Sequence, residues 1–120
     1  IEHCEDPQST FSAMVDKAKV GGILFFATPS LKSVDFPSRG GGLNFHDDPT
    51  HVSPVDLVKL YESESHRLKC TFYEKSAKPF IWWFLGWVQE HISKRKNLIR
   101  LGTWDYYGFE QIMWIEKVDL

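Results

Sequence analysis

Side chains able to do acid–base or metal chemistry gather at two places in this 120-residue chain. Glu2 and His3 stand at its beginning. His46, Asp47, Asp48 and His51 stand in and just after one Gly- and Pro-rich stretch. Histidine titrates near neutrality, so either place offers a base that can take a proton from a hydroxyl. Glu2 and His3, joined by a loop histidine (His46 or His51), also offer the oxygen and nitrogen ligands that hold a divalent ion, and such an ion polarises a hydroxyl. Plainer roles compete with each of these. Glu2 can satisfy backbone N–H groups, His3 can pack under a helix, and His51 can orient a helix start. Asp47 and Asp48 are common turn residues. His66 and His91 lack such company and read as surface residues.

The elements that must position these groups are legible in part. Asp6 suits a helix N-cap and Pro7 the first helical position. Phe11, Met14, Val15 and Ala18 then follow at the spacing of one buried face. Lys17 and Lys19 suit the last turn, and Gly21-Gly22 ends the helix. The apolar run Ile23-Leu24-Phe25-Phe26-Ala27 stops at Thr28-Pro29 and predicts a strand buried on both faces. Ser30 to Thr50 reads as a loop. A loop of that length at the carboxyl end of such a strand is where α/β sheets bind ligands. Ser53-Pro54 predicts a helix start, with Ser53 as cap and Asp56 at the third position. Arg67 to Tyr73 alternates, placing Leu68, Cys70 and Phe72 on one face. Phe109 to Val118 predicts a buried final strand.

Lys78 to Lys96 is apolar nearly all round a helix over Phe80 to Val88, then basic through Lys94-Arg95-Lys96. Four roles suit it: a buried core helix, a cap over a substrate site, a dimer or partner face, and an interfacial membrane helix. The cap role places Trp82 and Trp83 beside a substrate. An even spread of apolar residues tells against the membrane role.

Composition narrows the function classes. The net charge of -2 gives no global support for gripping nucleic acid. The two cysteines, Cys4 and Cys70, lack CxxC spacing and read as thiols of a reducing, cytoplasmic compartment. No apolar run approaches the ~20 residues of a membrane span. The chain opens on Ile1, and Ile1-Glu2-His3 reads as the end of a strand that begins upstream.

Three patterns in order carry a resemblance. They are Ile1-Glu2-His3 followed by Glu5-Asp6-Pro7, then Gly21-Gly22 with the strand ending Thr28-Pro29, then Asp47-Asp48-Pro49-Thr50-His51-Val52-Ser53-Pro54. From Ile1 to about Ser63 the chain resembles the carboxyl-terminal half of class I S-adenosylmethionine-dependent methyltransferases. The similar subgroup includes the ubiquinone-biosynthesis O-methyltransferases.

The resemblance implies an α/β fold: a partial Rossmann-like sheet with an antiparallel final strand and a Trp-rich helical insertion. It implies that residues 1–120 form the carboxyl-terminal part of the domain. The glycine-rich loop and the ribose-binding acid of the family would lie upstream of Ile1. Gly40-Gly41-Gly42 does not replace that loop, because it does not sit between a strand and a helix. The implied function is methyl transfer to an oxygen of a small molecule, with S-adenosylmethionine as cofactor in the intact parent. The 120 residues alone are expected to be inactive and to bind the cofactor poorly. Glu2 and His3 would face the cofactor and acceptor cleft, His51 would serve as base, and His46 and Asp48 would lie near the acceptor. Small-RNA 2'-O-methyltransferases look similar here and hold a divalent ion with such a set. An RNA acceptor is disfavoured by the low net basicity. A non-catalytic interaction module using the Trp-rich segment is the reading from a different class.

Overall fold

The computed structural model describes residues 1–38 and 41–118, so Gly40 of the triple-glycine stretch lies outside the described residues. Asp6 opens α1 (Pro7–Lys17) as expected, its carboxylate accepting the Ser9 N–H at 3.0 Å. Phe11 and Val15 are fully buried, while Met14 is exposed. The α1 carboxyl end is capped from far away. The Lys117 ammonium donates to the Val15 and Ala18 carbonyls, both at 2.9 Å. A cation there is favoured by the helix dipole.

β1 (Ile23–Pro29), β2 (Leu68–Glu74) and β3 (Glu110–Lys117) form one sheet in the order β1-β3-β2. β3 is antiparallel to both neighbours, so β1 and β2 run in the same direction. With helices α1, α2 (Leu57–Ser63), α3 (Phe80–Lys96) and α4 (Thr103–Tyr107), the chain is mixed α/β. The antiparallel final strand matches the expectation.

One face of the sheet packs on α1 and α2. Phe11, Val15, Phe26, Leu57, Leu60, Leu68, Met113 and Ile115 belong to its core. Each such side chain contributes about 1.5–3 kcal/mol by leaving water. The other face is also apolar but bare. Ile23, Phe25, Phe72 and Trp114 are exposed there, with the Phe25 and Trp114 rings 4.8 Å apart. The expectation that β1 is buried on both faces is thereby corrected. Leu24, Phe26 and Thr28 face inward, and among the described residues no helix layer covers Ile23 and Phe25.

Two further expectations shift. α2 starts later than Ser53-Pro54, because Asp56 is its N-cap and accepts the Val58 N–H at 3.1 Å. In β2 the register slips between Cys70 and Phe72, leaving Thr71 as an extra residue. The slip turns Phe72 to the bare face opposite Trp114 and brings Tyr73 against the core. A bulge reverses strict alternation in this way. The Trp-rich segment is helical, as expected, but α3 adds nothing to the core. The reading of it as a buried core helix is therefore corrected. No helix among the described residues is long and apolar enough to cross a membrane.

Candidate functional site

The backbone of Glu2 draws the two chemical groups together. Its carbonyl accepts the N–H groups of Val52 and Ser53, at 2.9 and 3.2 Å. This clasp sets the segment before α2 against the start of the chain, and it places His51 beside His3 with ring centroids 4.9 Å apart.

A rigid platform fixes His51. Asn44 and Asp47 cap the turn Phe45–Asp47 reciprocally, and the Asn44 amide donates to the carbonyls of Val34 (2.9 Å) and Phe36. Phe45 is buried and stacks on His51 at 4.5 Å. The His51 Nδ1 lies 2.7 Å from the Phe45 carbonyl. A carbonyl only accepts, so Nδ1 carries a proton, and in the neutral ring the lone pair is on Nε2. His3 repeats the pattern, with Nδ1 2.9 Å from the Thr50 carbonyl. Both imidazoles thus present a free Nε2.

The carboxylates are ionised by their surroundings. Burial pushes the Glu2 carboxyl up. Its own backbone N–H and the Thr28 hydroxyl at 2.9 Å lead the contacts that outweigh this and hold it below the usual range. Asp48 is also held low, first by the Thr50 hydroxyl and N–H, at 2.6 and 2.8 Å, with the nearby histidines adding to the effect. The second oxygen of Asp48 lies 3.7 Å from the His51 Nε2. An imidazolium formed at His51 would therefore face a carboxylate.

An open cleft of about 480 Å³ adjoins this group. Asp47, Asp48 and His51 line it together with Ile99 and Trp104. Trp104 was not singled out from the sequence. Its position depends on the α3–α4 turn, for which no local pattern speaks. His46 is exposed, lies perpendicular to Phe45 at 5.2 Å and stays outside the cluster. Trp82 and Trp83 sit on α3, where Trp83 stacks on Tyr106 at 6.1 Å, and neither lines this cleft.

Glu2, His3 and His51 each offer one ligand atom, and these atoms lie within 4.8 Å of one another. One carboxylate and two neutral imidazoles fit a divalent ion such as zinc, with positions left open. The carbonyls behind each Nδ1 orient the rings as a metal site requires.

Comparison with family models and with curated proteins gave no match to this chain.

Proposed function

We propose that this chain is the carboxyl-terminal part of an S-adenosylmethionine-dependent methyltransferase that acts on an oxygen of a small molecule. The observation that carries the reading is the convergence of Glu2, His3 and His51 at the edge of an open cleft. All three lie within the patterns on which the resemblance to the ubiquinone-biosynthesis O-methyltransferases rests. The sheet supports it as well. β1 and β2 share a direction around an antiparallel last strand, and the bare apolar face suits a second helix layer.

The bound cofactor would supply an electrophilic methyl group for in-line displacement. The chain's own part is to hold the acceptor hydroxyl and take its proton. The His51 Nε2 is free to accept that proton, and Asp48 stabilises the imidazolium that results. Ile99 and Trp104 give the cleft an apolar lining.

A second reading, in which a divalent ion polarises the acceptor hydroxyl, is favoured by the Glu2–His3–His51 ligand set. It keeps the same reaction and makes His51 a ligand instead of a base.

The coding sequence upstream of Ile1 tests the assignment. A strand, a glycine-rich loop and a later acidic residue are expected there. Lack of all three contradicts the methyltransferase reading.

A further inference from the structure

The sequence reads as apolar nearly all round α3, but packing on α4 covers one side and leaves a bare, mostly apolar stripe on the other, interrupted by the exposed His91. α3 joins α4 so closely that a Cβ on Gly86 would fall 1.9 Å from the Gly102 carbonyl oxygen. Ser93 is buried on the same side. Away from it, Phe80, Ile81, Phe84, Trp87, Val88 and Ile92 are between 44% and 77% exposed. Phe80, Phe84, Trp87, Val88 and Ile92 recur at the three- and four-residue spacing of one helix stripe.

Charge is segregated onto the same element. Residues 78–100 hold five of the chain's 14 Lys and Arg but one of its 16 Asp and Glu. That acid, Glu90, is already paired with Lys94 at 2.5 Å. The rest of the chain carries nine bases against fifteen acids, so the basic excess of this segment runs against the whole. Arg95 and Lys96 are exposed at the helix end, and Arg100 follows.

From this pairing of bare aromatic stripe and free cations we infer that α3 docks on an anionic lipid surface. The stripe enters the acyl boundary, and Arg95, Lys96 and Arg100 meet the phosphates. A second copy of the chain is a poorer occupant, because its α3 segment would bring a like basic excess and no free acid. The helix lies on the bilayer and does not cross it: its 17 residues end in three cations. Trp87 suits the depth, since its ring has an apolar body and one polar N–H.

The docking does not depend on methyl transfer. If both hold, Ile99 and Trp104, which follow α3, would set the cleft beside the lipid and admit an apolar acceptor.

Co-sedimentation of the protein, expressed from the intact reading frame, with vesicles tests the inference. Equimolar phosphatidylglycerol and phosphatidylcholine is compared with phosphatidylcholine alone. The anionic vesicles should bind the chain at least about tenfold more tightly, and added salt should weaken the binding. The double variant Arg95→Glu/Lys96→Glu should weaken it by about 25-fold or more, at roughly fivefold for each lost cation. Trp87→Ser should also weaken it, with the circular dichroism spectrum unchanged. Equal binding to both vesicles overturns the inference, as does binding indifferent to these variants. A dimer that forms through α3 and leaves the vesicles unbound overturns it too.

Discussion

At the residue scale, the chemistry rests on two histidines held in one tautomer. The Phe45 and Thr50 carbonyls each take an Nδ1 proton, and that leaves two lone pairs facing a carboxylate group. Calorimetry with zinc or magnesium reads this directly. The second reading predicts binding to the wild-type chain, with loss in Glu2→Ala and in His51→Ala. A flat wild-type titration contradicts that reading and leaves His51 as a base alone. The Glu-His pair and the His before Ser-Pro were legible because each is a local pattern. Which of His46 and His51 joins Glu2 and His3 as a ligand was not. It depends on burial of Phe45, which stacks on one histidine and leaves the other exposed. Trp104 and Lys117 escaped notice because their partners are distant in sequence.

At the element scale, α1 was legible to its cap because Asp6-Pro7 and the Phe11–Val15 spacing act within one helix. α2 was placed early, since Ser53-Pro54 carries a cap signal that Asp56 fulfils instead. The β2 slip was invisible, as alternation alone gives no sign of an extra residue at Thr71. Gln111 was missed for a similar reason. It is buried, and its amide donates to the Val55 carbonyl at 2.6 Å and the Pro29 carbonyl at 3.2 Å, tying β1 to the chain before α2. The α3–α4 junction supplies the sharpest prediction at this scale. Gly86→Ala pushes a methyl into the Gly102 backbone, so the helices must part. Such overpacking costs about 1–3 kcal/mol. Denaturant titration checks it, and an unchanged midpoint contradicts the close approach.

At the scale of the whole molecule, one charged knot joins the helix layer to the sheet. Arg67 bonds Glu64 at 2.7 Å and Asp16 at 2.5 Å, which links α1 to the chain between α2 and β2. Arg67 lowers both carboxyls, for Glu64 with help from the Ser12 hydroxyl. A lowered folded value means that these acids stabilise the fold fully above their ordinary values of 4.5 and 3.8. That contribution is lost as the pH falls through the lower folded values. The thermal midpoint should therefore drop on acidification through this window, and Arg67→Met should flatten that dependence. An identical slope in the variant would show that Arg67 does not set it. The mixed α/β class was legible from element order, and the last strand's direction came from the resemblance. The bare second face was not, because an apolar run reads the same whether or not a layer covers it.

The central claim is that His51 takes the acceptor proton, or holds the ion that releases it, in a methyl transfer. The most direct measurement is turnover with labelled S-adenosylmethionine, using the protein expressed from the intact reading frame, wild type against His51→Ala. The expected result is a loss of about 100-fold or more in turnover, with cofactor affinity unchanged. Equal turnover in the two proteins would contradict it.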